Sequence, residues 1–200
     1  NGQIIHSGTF KQLCIVLYSA IDSMSESNVH LNDLMIACQN GRARAVRALL
    51  SKGLDPNVMA GSGDTALMLA CWTGYIACVR ILLNNGASVD LVSTTKGVTA
   101  LMLACLAGHE VCARQLLNNG ASVNLVSRGM EYTALIFACK NGHEECVYTL
   151  LDNAANVDMV MSDGYTALKA ACKYDHEACV CALLDNGANV DMADSHGITA

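Results

Sequence analysis

The sequence predicts an all-α protein of the solenoid kind, a stack of similar helix pairs, and three observations carry that prediction. The first is internal repetition. "TALMLACWTGYIACVRILLNNGAS" begins at Thr65, "TALMLACLAGHEVCARQLLNNGAS" at Thr99, "TALIFACKNGHEECVYTLLDNAAN" at Thr133 and "TALKAACKYDHEACVCALLDNGAN" at Thr166, at steps of 34, 34 and 33 residues. A period of this size marks an array of one supersecondary unit, because each unit has an apolar face that only its neighbour can cover. The second is helical spacing within the unit, where Leu101, Ala104 and Cys105 recur at i, i+3 and i+4. The third is composition: 52% of the residues are hydrophobic, only 4% are aromatic, and Pro56 is the one proline. Small and aliphatic side chains must fill the core, which suits close-packed helices better than a β-sandwich.

Along the chain, residues 1–31 read as the end of a preceding unit, since "IIHSGTFKQLCIVLYSA" at 4–20 aligns with Gly8 under Gly41. Units then occupy 32–64, 65–98, 99–132, 133–165 and 166–198, the first a looser copy, and 199–200 begin another. In each unit a threonine (Thr65, Thr99, Thr133, Thr166) is suited to cap the first helix by accepting from unpaired backbone N–H groups. Gly108 then breaks the chain for a turn, and the second helix buries Cys112, Leu116 and Leu117. Gly120, after "LLNN", sits where a left-handed C-terminal cap belongs. The following "ASVNLVSRGMEY" predicts a projecting hairpin-like turn. Neither end carries a polar capping unit, so a fragment of a longer array is expected.

These residues resemble the ankyrin repeat, with its Thr-Pro-Leu-His start, Ala-Ala, Gly-His, a second helix ending in Leu-Leu, and Gly-Ala-x-Val-Asn before the next hairpin. The resemblance covers essentially the whole chain and implies an ankyrin-repeat α-solenoid. Departures are visible. Ala66, Ala100, Ala134 and Ala167 stand in place of the usual proline, and Met68, Met102, Ile136 and Lys169 in place of the usual histidine, so the family's hydrogen bonding at the helix start is expected to be lost. Ala154 replaces the capping glycine and Asp175 the inter-helix glycine, which predicts local strain.

Cysteine and histidine raise a second possibility. Cys105, His109 and Cys112 form a triple that returns at Cys139, His143 and Cys146 and at Cys172, His176 and Cys179. Zinc accepts such ligands but wants four in a tetrahedron. Cys71 and Cys78 keep the spacing although Tyr75 takes the histidine position, which favours buried thiols acting as small hydrophobes. A thiol-rich redox or metal sensor using these repeated pairs is the alternative. The eleven cysteines are odd in number, and neither a secretory signal nor a glycosylation sequon is visible, so a reducing intracellular setting, the cytoplasm, is expected.

Other functions find little footing. The net charge of −6 argues against nucleic-acid binding, and the most apolar run, "LCIVLYSAI" at 13–21, is too short for membrane insertion. "AGSGDT" at 60–65 lacks the Gly-Lys-Ser/Thr of a phosphate loop and reads as a turn. No nucleophile site can be argued, so a non-enzymatic, monomeric array without cofactor or bound metal is expected, with the sensor as its alternative. The resemblance implies that partners lie in a concave groove lined by positions the repeat does not fix. Before the inter-helix turn these are Gln39, Asn40, Trp72, Thr73, Leu106, Ala107, Lys140, Asn141, Lys173 and Tyr174; before the capping threonine they are Asp64, Val98, Tyr132 and Tyr165. Trp72, Tyr132, Tyr165 and Tyr174 are the preferred anchors for a protein or peptide partner. The family's hydroxylatable asparagine corresponds to Asn57 and Asn124, for which bonding to their own turn backbone is the simpler account.

Overall fold

The structure, a computed structural model, describes residues 26–193 together with 197 and 199. The aligned segment at 4–20 and Ala200 lie outside the described residues. Among the described residues ten helices pair as α1 (Glu26–Gln39) with α2 (Ala43–Ser51), α3 (Ala66–Thr73) with α4 (Ile76–Asn84), α5 (Ala100–Ala107) with α6 (Glu110–Leu117), α7 (Ala134–Asn141) with α8 (Glu144–Asp152), and α9 (Ala167–Lys173) with α10 (Glu177–Asp185). α1 starts before Asn32, earlier than the sequence reading placed it. No Gly or Pro interrupts Glu26–Gln39, and no threonine stands at the capping place of that unit.

Each first helix from α3 onward starts as predicted. The hydroxyls of Thr65 and Thr99 accept from the N–H of Met68 and Met102 at 3.3 Å, and those of Thr133 and Thr166 from Ile136 and Lys169 at 3.2 Å. The expected loss of the second bond at this end is corrected in two units. The thioether Sδ of Met68 and of Met102 accepts from the main-chain N–H of Thr65 and Thr99 at 3.4 Å, a weak acceptor on a chain supple enough to reach back. In the last unit, buried Lys169 instead donates its Nζ to the Gly164 carbonyl at 3.0 Å.

The helix ends follow one geometry. At the close of α5, Gly108 adopts φ 76° and the His109 N–H bonds to the Ala104 carbonyl, five residues back, at 2.9 Å. This 6→1 closure is the Schellman pattern. Asp175 is held in it at the close of α9 with φ 59°, and Ala154 after α8 with φ 61°, so the strain expected at both substitutions is present. The segments between units close as hairpin-like turns, with Ser93 N–H to Val98 O at 2.8 Å and Ser127 N–H to Tyr132 O at 2.9 Å. Among the described residues no strand forms, and a lone bridge joins Met59 to Thr65.

First helices pack on first helices and second on second, giving two parallel layers. One core runs through both from Leu34 to Leu183. The sequence reading gave the first helix a single apolar face, but Ala100 through Cys105 are all buried. α5 is enclosed by its own second helix on one side and by α3 and α7 on the others.

Candidate functional site

The repeated cysteines and histidines take up packing roles. Cys38, Cys71, Cys78, Cys105, Cys112, Cys139, Cys146 and Cys179 are buried, whereas Cys172 and Cys181 are exposed. Cys172 is the counterpart of Cys139, but no described helix lies over α9 as α9 lies over α7, so a thiol expected to be buried meets solvent. Burial pushes the Cys71 and Cys139 thiols well above their ordinary value and those of Cys112 and Cys179 up to about 11. A thiol held protonated is a poor nucleophile and a poor ligand. The imidazoles reach across to the preceding unit. His143 Nε2 lies 3.2 Å from the Leu106 carbonyl oxygen, and His176 Nε2 lies 3.3 Å from that of Lys140. Each ring also covers the preceding inter-helix glycine so closely that a Cβ on Gly108 would come within 2.7 Å of the His143 ring, and one on Gly142 within 2.6 Å of His176. Tyr75 covers Gly41 in the same manner, which explains how tyrosine replaces histidine there: the place calls for a flat ring.

The turns carry a second ladder. The Asn57 carboxamide accepts from the Ser88 N–H at 2.7 Å and donates to the Gly86 carbonyl at 3.1 Å, and Asn124 Oδ1 accepts from the Asn156 N–H at 2.8 Å. Asp90 accepts from Ser122 and Asp158 from Asn189, so aspartate serves as well as asparagine. The expectation that Asn57 and Asn124 bond their own turns is corrected: both clasp the turn of the next unit. The sequence reading missed Glu131, which occupies the place of Gly63 and Gly97 at φ 58°. Its Oε2 accepts from the N–H and hydroxyl of Ser162, which hold its carboxyl below the usual carboxylate range. The signal was there in the sequence, a carboxylate standing where the neighbouring units carry glycine. Lys96 was also missed; its Nζ meets the buried Asp64 carboxylate at 2.7 Å, which removes Asp64 from the open groove positions.

Of the predicted partner-binding residues, the structure brings five together. Tyr132 and Tyr165, each just before a capping threonine, stack with ring centroids 6.0 Å apart at 23°, and Phe137 meets Tyr132 edge-on at 5.4 Å. Lys140, in the last turn of α7, places its Nζ 5.2 Å from the Tyr132 ring and 5.8 Å from that of Tyr174. Lys173, the last residue of α9, places its Nζ 5.9 Å from the rings of both Tyr165 and Tyr174. Burial, then the neighbouring tyrosine Tyr174 and Asp163, push the Tyr132 hydroxyl up, and burial with the other tyrosines does the same to Tyr165, so both stay protonated donors. Tyr174, 38% exposed, forms the open rim.

The remaining candidates stand elsewhere. Trp72 and Leu106 occupy the corresponding last turns of α3 and α5, half-buried against the core. The Thr73 hydroxyl turns back to the Leu69 carbonyl at 2.8 Å. Val98 is 3% exposed, so its expected place on a binding surface is corrected: its side chain belongs to the core. The sequence assigned Val98 by its register, and an aliphatic side chain at that register turns inward where tyrosine, longer, reaches the surface.

The family model described as ankyrin repeats (3 copies) matches the chain twice, over residues 34–127 and 124–194. A comparison with curated proteins found no match.

Proposed function

The chain belongs to the ankyrin-repeat family, a family of protein–protein interaction modules, and from that premise we propose that it binds a protein or peptide partner without catalysis or cofactor, on the concave face lined by its turns and first helices. The observation that supports this reading is the joined patch of Tyr132, Tyr165, Tyr174, Lys140 and Lys173, drawn from three successive units. Tyrosine anchors large apolar area at low entropic cost and keeps a polar tip for the partner. The mechanism is a preformed surface. Repeat packing fixes the backbone before the partner arrives, and stacking fixes the rings, so association orders little on this side. Trp72, Thr73 and Leu106 extend the same flank toward the N-terminal units. The free thiols suit a reducing compartment.

The test is affinity capture with the intact chain against a variant carrying Tyr132→Ala, Tyr165→Ala and Tyr174→Ala. A specific partner should be retained by the first and lost by the second while thermal unfolding shows both folded; equal retention by the two would remove the patch from the binding surface.

A further inference from the structure

We propose that this patch selects an acidic peptide segment, one in which an Asp or Glu side chain stands beside an aromatic or aliphatic residue. The inference rests on the binding reading above and adds the chemistry of the partner.

The two ammonium groups carry the argument. A surface lysine in an acidic protein ordinarily has carboxylates to choose from, and this region supplies them: from Asn141 onward ten acidic residues face only Lys169 and Lys173. Asp163 is close enough to Tyr132 and Tyr165 to affect both hydroxyls, yet it spends an oxygen on the Tyr165 N–H at 2.9 Å. Neither Lys140 nor Lys173 forms an ion pair with a described carboxylate. Both are held on ring faces instead, 5.2 to 5.9 Å from the tyrosine centroids. A ring face attracts a cation through its quadrupole but accepts no strong hydrogen bond, so most of the ammonium donors remain available. Tyr174 is shared between the two lysines, at 5.8 and 5.9 Å from its centroid, which brings both charges to one exposed ring.

Two parked ammonium groups above a stacked Tyr132–Tyr165 floor therefore offer a carboxylate two charged donors and its neighbouring residue an apolar bed. Electrostatic complementarity of this kind fixes register and rejects wrong partners. The acidic surroundings narrow the choice further. A long polyanion, whether nucleic acid or an anionic membrane, would gain at the two lysines and lose against the net charge of −6 that the chain carries, whereas a short segment engages the lysines alone.

The test uses a displayed random peptide library selected on the immobilised 200-residue chain, followed by affinity measurement with the selected peptides as probes. Expected are peptides enriched in Asp or Glu beside an aromatic or Leu, whose binding falls about tenfold or more when that residue becomes Gln or when the protein carries K140Q with K173Q. K140R with K173R should retain binding, which separates charge from mere packing. Peptides that depend on Tyr132 and Tyr165 yet are indifferent to the Glu→Gln exchange and to K140Q with K173Q, or peptides enriched in Lys and Arg, would overturn the acidic preference and leave the docking face standing. Failure to select any peptide, or peptides that bind the triple tyrosine variant equally well, would overturn both.

Discussion

Single backbone positions divide into two kinds that sequence alone cannot separate. An added Cβ at Gly120 meets nothing within 4 Å, whereas one at Gly108 runs into the His143 ring, although both glycines have positive φ. Two costs therefore apply, a conformational one at both places and a steric one at the inter-helix glycine. Ala154 already bears the first kind at φ 61°, so Ala154→Gly should raise stability by about 0.5–1 kcal/mol, and Gly120→Ala should lower it by a similar amount. Gly108→Ala should cost more, by a further ~1–3 kcal/mol for overpacking, and His143→Ala in the same chain should recover part of that increment. Denaturant melts of the four variants check the ordering. His143 also makes a pH prediction. Burial, opposed by the Leu106 carbonyl and Glu145 and aided by His176, holds its imidazole below the ordinary value of 6.5. A depressed folded-state pKa means that the unfolded chain takes up the proton first as pH falls. The stabilisation is thus complete above 6.5 and lost progressively below it, and His143→Gln should flatten that part of the melting-temperature profile.

At the level of the helix and the turn, much was legible because each feature is local chemistry repeated in register. The capping threonines, the glycine after α5 and the hairpin-like turns need only the propensities of neighbouring residues. What escaped the sequence depends on how far a side chain reaches, within a helix start or across units. Met68 and Met102 were read as losing a bond that their sulfur in fact accepts, because the reach of an unbranched side chain is set by where the helix start lies. Glu131 and Asn57 were obscure for a related reason, since their partners, Ser162 and Ser88, lie 31 residues away. The prediction at this scale is that Thr99→Ala costs about 1–2 kcal/mol, for it orphans the buried Met102 N–H. Thr99→Ser should keep most of that stability in the same unfolding assay.

For the whole molecule, periodicity made the stacked architecture readable, and it left the functional surface only half readable. Register placed Tyr132, Tyr165, Lys140, Lys173 and Tyr174 on one flank, but the same register also proposed Val98, which is core, and Trp72, which stands outside the lysine–tyrosine cluster. Side-chain length decides which of these positions reaches the surface, and length acts through the neighbours that the array brings alongside. The layered packing also predicts how the thiols behave as a set. Among the described thiols, Cys172 and Cys181 should react promptly with a thiol reagent under native conditions, while the eight buried ones should respond only on unfolding. Prompt reaction of Cys71 or Cys105 would instead revive the sensing alternative.

The ring laid on a glycine has a bearing on how such a chain can change length. His109 sits on Gly74, and His143 on Gly108, with the same ring atoms, Nδ1, Cε1 and Cγ, nearest the glycine in both places. Excising 99–132 would lower His143 onto Gly74, a seat already shaped for an imidazole, so the seam would close without an unfamiliar partner. Interchangeable joints of this sort let whole modules be gained or dropped while the surviving fabric keeps its weave.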